Sequence, residues 1–239
     1  MGMIITEDET RAVVNGIRIT REELDRAFDR RFPSWMKEKL NAASVAVAGL
    51  GGLGSHVAVA LARSGVGHLF LVDFDSVDVT NLNRQAYMIP HLGRPKTEAL
   101  TEMLQQINPW LDIKSRQILV TEENIRELFG EYAIVCEAFD RPDQKAMLVR
   151  GLLTGCPGAA VVSGNGMAGY GDANQMQTVR RMGRLYVCGD QTTDIGEGMG
   201  LMAPRVAVCA GHMANQVIRL ILGEDTDNTG TAHNIKEKK

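Results

Sequence analysis

The chain has no C-x-x-C pair; its four cysteines, Cys136, Cys156, Cys188 and Cys209, lie far apart in apolar surroundings. Tetrahedral zinc wants ligands delivered in close pairs, so no zinc is expected, and a reducing cytosol argues against disulfides. Cys136 and Cys209 fall inside apolar runs and read as core packing. Cys188, between Val187 and Gly189, reads as the least buried of the four and the one to test as a reactive thiol. Long apolar runs are missing too. Nothing approaches the ~20 residues of a membrane-spanning helix, and M-G-M-I-I-T-E-D-E-T lacks the basic start and apolar core of a signal peptide. A cytoplasmic protein with no membrane partner is expected; the loose myristoylation match at M-G-M-I-I-T is discounted. Nor is charge of one sign in excess: 26 Lys and Arg against 29 Asp and Glu leave a net charge of -3, with no global pull toward nucleic acid.

Glycine, by contrast, is concentrated where it matters. Val45–Ala48 is a short apolar run that ends at Gly49, Gly51, Gly52 and Gly54, after which Val57, Ala58, Leu61 and Ala62 recur at helical spacing. This predicts a strand, a tight turn and a helix. A second apolar run, His68–Val72, delivers Asp73 at its C-terminal end. A helix N-terminus freed of side chains beside a carboxylate suits a phosphate and a ribose, which are common to NAD and ATP.

Ahead of this motif, Val13-Val14 and Ile17–Ile19 around Asn15-Gly16 predict a hairpin or an arm on a neighbouring subunit. Thr20-Arg21-Glu22-Glu23 is a capping box, and Leu24, Phe28 and Phe32 give the following helix one apolar stripe up to Pro33. Its other faces carry Arg26, Arg30 and Arg31, either a solvated surface or a source of one arginine for a phosphate. Residues 1–40 are therefore expected to form an N-terminal arm and helix, 41–223 the nucleotide-binding domain, and 224–239 a polar, frayed tail.

After Asp75, the polar cluster Asn81, Asn83, Arg84 and Gln85 precedes Lys96, which opens a helix behind Pro95. Two cations beside a glycine loop fit a triphosphate better than a nicotinamide. Strands and helices then alternate: Ile113–Val120, Glu122–Phe129, Ala133–Cys136, Asp143–Leu153 and Ala159–Ser163. Antiparallel strands at Met176–Val179 and Arg184–Val187 follow, with a last helix opened by Ala203-Pro204 and stopped by Gly223. The expectation is an α/β fold, a doubly wound, mostly parallel Rossmann-like sheet with a C-terminal antiparallel extension. Asp73 and Asp140 should share the rim formed by C-terminal strand ends. Asp140 reads as a helix cap or as a magnesium ligand. His56 and His68 are assigned no role.

The ordered motifs G-L-G-G-L-G-S, L-V-D-F-D, N-L-N-R-Q, R-P-K and F-D-R-P-D-Q-K make the chain resemble the ThiF/MoeB family of ubiquitin-activating-like adenylyltransferases over roughly residues 20–223. Among these it is most similar to the smaller ThiF-type proteins of thiamine synthesis. The resemblance implies that Gly52, with Gly49, Gly51 and Gly54, lies at the phosphates of ATP, and that Asp73 holds the ribose with Asp75 beside it. Asn81, Arg84 and Lys96 would reach the phosphates, and Asp140 would hold Mg2+. It also implies a homodimer in which Arg26, Arg30 or Arg31 enters the partner's site. The implied reaction is attack on the α-phosphate by the C-terminal carboxylate of a ubiquitin-like sulfur carrier ending in Gly-Gly, giving an acyl-adenylate and pyrophosphate. An ionised carboxylate needs no general base, so Arg84, Lys96 and Asp140 carry the catalysis by positioning and neutralising charge. The loop Asp190–Leu201 has no cysteine where some relatives use one for a covalent step, so only adenylation is expected. Other readings of the same motifs are a dehydratase-type relative activating a small-molecule or tRNA-borne carboxylate, an NAD-dependent oxidoreductase, and a nucleotide-binding module without turnover.

Overall fold

The computed structural model describes residues 4–5, 11–14, 17–194, 196 and 198–224. At the N-terminus β1 (Ile4–Ile5), β2 (Arg11–Val14) and β3 (Ile17–Thr20) form a small antiparallel sheet, with Val14 facing Ile17 across the hairpin. The Asn15-Gly16 turn and the tail beyond Glu224 lie outside the described residues. The capping box forms as its sequence dictates. The Thr20 hydroxyl accepts the Glu23 N–H at 3.2 Å, and the Glu23 carboxylate accepts the Thr20 N–H at 2.8 Å, which starts α1 (Arg21–Asp29). That helix stops short of Pro33, which instead serves as N-cap of an unforeseen helix, α2 (Ser34–Ala42). Helix α2 is anchored by Leu40, its one buried residue. So few apolar positions carry almost no periodic signal.

The main sheet has seven strands: β4 (Ser44–Ala48), β5 (His68–Asp73), β6 (Asp112–Gln117), β7 (Ile134–Glu137), β8 (Ala160–Gly164), β9 (Gln177–Arg181) and β10 (Leu185–Gly189). Their order is β6-β5-β4-β7-β8-β10-β9, parallel throughout except for β9, which pairs antiparallel with β10 at the edge. The doubly wound, mostly parallel architecture with a C-terminal antiparallel extension is thus the one observed. Helices α3 (Gly52–Arg63), α4 (Lys96–Ile107) and α7 (Ala203–Leu222) cover one face, and α5 (Ile125–Phe129) and α6 (Pro142–Gly155) the other.

Strand β4 shows why both faces must be covered. Val45 and Val47 pack into the core beneath α3, α4 and α7, while Ala46 and Ala48 join Phe70, Phe129, Leu148 and Leu152 on the opposite side. Side chains of successive strand residues point to opposite faces, so a strand buried on both sides reads as one apolar run. Most boundaries around the sheet shift by a residue or two, and two differ by more. Strand β6 ends at Gln117 rather than Val120, as an exposed edge. Helix α5 starts at Ile125 because the Asn124 carboxamide accepts from the Thr121 N–H (2.9 Å) and donates to the Leu119 carbonyl (3.0 Å), holding residues 121–124 in a turn.

The connections run outward from the centre, β4 to β5 to β6 one way and β7 to β8 the other. The order in which the chain lays down its parallel strands therefore reverses between β4 and β7, and a crevice opens at their C-terminal ends, where ligands of such sheets bind.

Candidate nucleotide site

The crevice is a cavity of about 520 Å³ whose walls include Gly49, Gly51 and Gly52, Asp73, Asp75, Arg84, Lys96 and Asp140. Its floor is the turn from β4 into α3. Gly49 has φ +88, and a Cβ there would stand 2.9 Å from the backbone of Ala138. A Cβ on Gly54 would fall 1.7 Å from the Gly49 carbonyl oxygen, so Gly54 serves close packing of the turn and does not line the cavity. Gly51 supplies no side-chain cap, which leaves the first N–H groups of α3 for a phosphate.

Asp73 ends β5 almost fully buried. One carboxylate oxygen accepts the Leu50 N–H at 2.6 Å and the other the Asp75 N–H at 2.8 Å. Burial raises its pKa, opposed by Lys96 and by those two N–H groups. Asp73 thus ties the glycine turn to the turn after β5, and each oxygen keeps a lone pair for a further donor. Asp75 is ion-paired to Lys96 at 2.9 Å; the lysine side chain is 7 % exposed and the aspartate 47 %. Phe74, Ile118 and Leu119 form an apolar lip on the same side.

Arg84 stands opposite Gly52, with its guanidinium donating to the Thr80 carbonyl (3.1 Å) and to Asn83 Oδ1 (2.8 Å). Asn81 lies outside the cavity wall, its carboxamide oxygen accepting the Asp78 N–H at 3.0 Å to close a short turn. Asp140 is exposed on the rim and does not cap α6, whose N-cap is Arg141 without a side-chain cap. Its carboxylate makes no hydrogen bond among the described residues. The described residues contain no group of three or more His, Cys, Asp or Glu able to cage a metal. One carboxylate on the rim of a cavity large enough for a nucleotide nonetheless fits magnesium, which is commonly held by one or two carboxylates together with phosphate oxygens. Arg26, Arg30 and Arg31 are exposed on or just beyond α1, and none lines this chain's cavity.

Two buried charged groups just behind the cavity wall carry no motif of their own. Glu137, fully buried at the end of β7, accepts from Lys145 and Ser163. Asp190, after β10, pairs with Arg205 in the first turn of α7, both side chains nearly inaccessible. Asp190 also accepts the N–H groups of Thr192 and Thr193, which line the cavity. In each case only the paired position in space, absent from the local pattern, shows the role.

The reading of Cys188 as the least buried of the four cysteines is corrected. Its strand, β10, lies between β8 and β9, and all four cysteines are buried. Burial pushes the Cys188 thiol up to about 11, against a hydrogen bond with Thr178. The native protein at pH 8 is expected to resist iodoacetamide at Cys188, with full labelling on unfolding; rapid native labelling, read by peptide mass spectrometry, would contradict the burial.

Comparison with known proteins is consistent across sequence and fold. The family described as the ThiF family matches residues 24–239. The tRNA threonylcarbamoyladenosine dehydratase of Bacillus subtilis is 43% identical over 93 residues, 38% of this chain and 37% of that protein. The sulfur carrier protein adenylyltransferase of Thermus thermophilus is 36% identical over 129 residues, 52% of this chain and 48% of that protein. In both, the matched segment spans less than half of the relative's length. Among solved structures, the Escherichia coli tRNA N6-threonylcarbamoyladenosine dehydratase in complex with ATP superimposes with a TM-score of 0.76 at 23% identity, covering 89% of this chain and 98% of that one. The likeness at that identity is one of fold.

Proposed function

The chain belongs to the ThiF family, and on that premise we propose that it is an ATP-dependent adenylyltransferase that activates a carboxylate as an acyl-adenylate with release of pyrophosphate. The observation that carries this reading is one cavity bringing together an uncapped helix N-terminus, the cations Arg84 and Lys96 and the rim carboxylate of Asp140. Each of these suits a triphosphate. Arg84 and Lys96 supply positive charge where phosphoryl charge develops, and Asp73 and Asp75 face the ribose. Magnesium, when bound, would neutralise phosphate oxygens from Asp140. The attacking carboxylate is already ionised, so the chain's task is alignment and charge neutralisation. Asn81 would act at one remove, shaping the turn that presents Arg84. In a homodimer, an arginine among Arg26, Arg30 and Arg31 would complete the partner's phosphate site.

For the acyl group, we assign the C-terminal Gly-Gly carboxylate of a ubiquitin-like sulfur carrier, supported by the carrier-activating relative. A threonylcarbamoyl carboxylate on tRNA is the second reading, favoured by the dehydratase relative. ATP–pyrophosphate exchange with magnesium separates them. Exchange that requires a carrier ending in Gly-Gly supports the first, and exchange that requires modified tRNA supports the second. ATP binding without exchange under either condition refutes adenylation.

A further inference from the structure

Glu137 ends β7 in register with Ser163 on β8, and Lys145 lies one turn into α6. The three side chains make a closed set. One Glu137 oxygen accepts the Phe139 N–H at 2.8 Å and Lys145 at 3.2 Å; the other accepts the Ser163 hydroxyl at 2.6 Å and Lys145 at 2.8 Å. Lys145 also donates to the Phe139 carbonyl at 3.0 Å. An ammonium has three protons and a carboxylate about four acceptor sites, so these contacts use the full capacity of both groups. Lys145 reaches the cavity wall, yet it has no proton left for a phosphate.

The bonds converge on Phe139, whose N–H and C=O are both held. Its carbonyl belongs to the peptide that leads into Asp140, and its ring lies 2.9 Å from where a Cβ on Gly49 would stand. Burying an ion pair is no economical way to stabilise a fold, since apolar residues of similar volume often do as well. What this pair does is fix the two peptide planes on either side of Phe139, between the glycine turn and the rim carboxylate.

We propose that Glu137, Ser163 and Lys145 are positioning residues that aim Asp140, and so set the magnesium requirement of nucleotide binding. The proposal rests on the ATP reading above. Its test is the affinity for ATP, measured by calorimetry in EDTA and across a magnesium titration, for Ser163→Ala, Lys145→Gln and each of these combined with Asp140→Ala. Loss of a residue that orients a metal ligand commonly costs 10–100-fold in metal affinity. Ser163→Ala removes one bond to Glu137 from outside the cavity wall and is expected to raise the half-saturating magnesium concentration about 10-fold. Its ATP affinity in EDTA should stay within about two-fold of wild type, because the other nucleotide contacts are untouched. In the Asp140→Ala background neither substitution should change the magnesium requirement further. Ser163→Ala carries the test if Lys145→Gln fails to fold.

Equal losses with and without magnesium, or effects that add to that of Asp140→Ala, would assign the trio to the fold alone and overturn the proposal. No ATP binding in either condition would overturn it together with the ATP reading, whereas a wild-type protein that binds ATP with an affinity that ignores magnesium would overturn it alone. Magnesium-dependent wild type beside unchanged variants would overturn it alone.

Discussion

Lys96→Ala is expected to lower ATP–pyrophosphate exchange, as kcat/KM, by about 10²–10³-fold, the range seen when one preorganised donor to developing charge is removed. Lys96 is the first residue of α4, behind Pro95, and its stem is buried so that only the ammonium approaches the cavity, at 2.9 Å from Asp75. Holding a long side chain in this way removes its rotamer freedom before the nucleotide arrives. Substitution has a second consequence. Asp75, half exposed, becomes an unpaired carboxylate on the wall of a site for polyanions, so like-charge repulsion adds to the missing cation. The double variant Lys96→Ala with Asp75→Ala should therefore recover part of the lost ATP affinity. Lys96→Arg, which keeps the charge in a larger planar group, should fall between wild type and Lys96→Ala. Exchange by Lys96→Ala within two-fold of wild type would remove this residue from the phosphate site.

The local parts of this site can be read in the chain. Strand, glycine turn and helix follow one another without interruption, Asp73 ends the next apolar run, and Pro95 announces the helix that begins at Lys96. The fold class follows from the same alternation of strand and helix. What cannot be read is which group holds which. Asp73 accepts from Leu50, 23 residues away, so part of its role is to brace the glycine turn. Glu137 and Ser163 are 26 residues apart and Asp190 and Arg205 are 15 apart. Each alone looks like an ordinary polar or charged residue, of the kinds that are mostly exposed. Cys188 misled for a related reason: Val-Cys-Gly has no periodicity, and its burial comes from β8 and β9 on either side and α7 above. Helix α2 escaped because one buried leucine makes no stripe.

Arg205→Met is expected to destabilise the protein by about 3–5 kcal/mol, the usual cost of leaving one member of a buried ion pair alone. For a chain of this length that corresponds to a fall in Tm of roughly 6–20 °C. Arg205 bonds Asp190 through one terminal nitrogen and the Asp172 carbonyl through the other at 3.2 Å, while its Nε has no partner among the described residues. The guanidinium thus joins two segments around α7, and without it Asp190 would keep only its bonds to Thr192 and Thr193. Those bonds govern the pH response. Burial works to raise the Asp190 pKa, but the N–H groups and hydroxyls of Thr193 and Thr192 outweigh it and hold the carboxyl below its ordinary value. A depressed carboxyl pKa stabilises the fold fully above the unfolded aspartate value, near 3.9, and the contribution disappears as pH falls through the folded value. Asp190→Asn should accordingly be less stable than wild type at pH 7, with the gap narrowing as the pH falls below about 4. Urea unfolding at a series of pH values reads this directly. A gap that stays constant down to acid pH would mean that the charge of Asp190 does not hold the loop to α7. Because Thr192 and Thr193 line the cavity, loosening this pair should also weaken ATP binding at temperatures where the variant is still folded, and intact affinity there would confine the pair to stability alone.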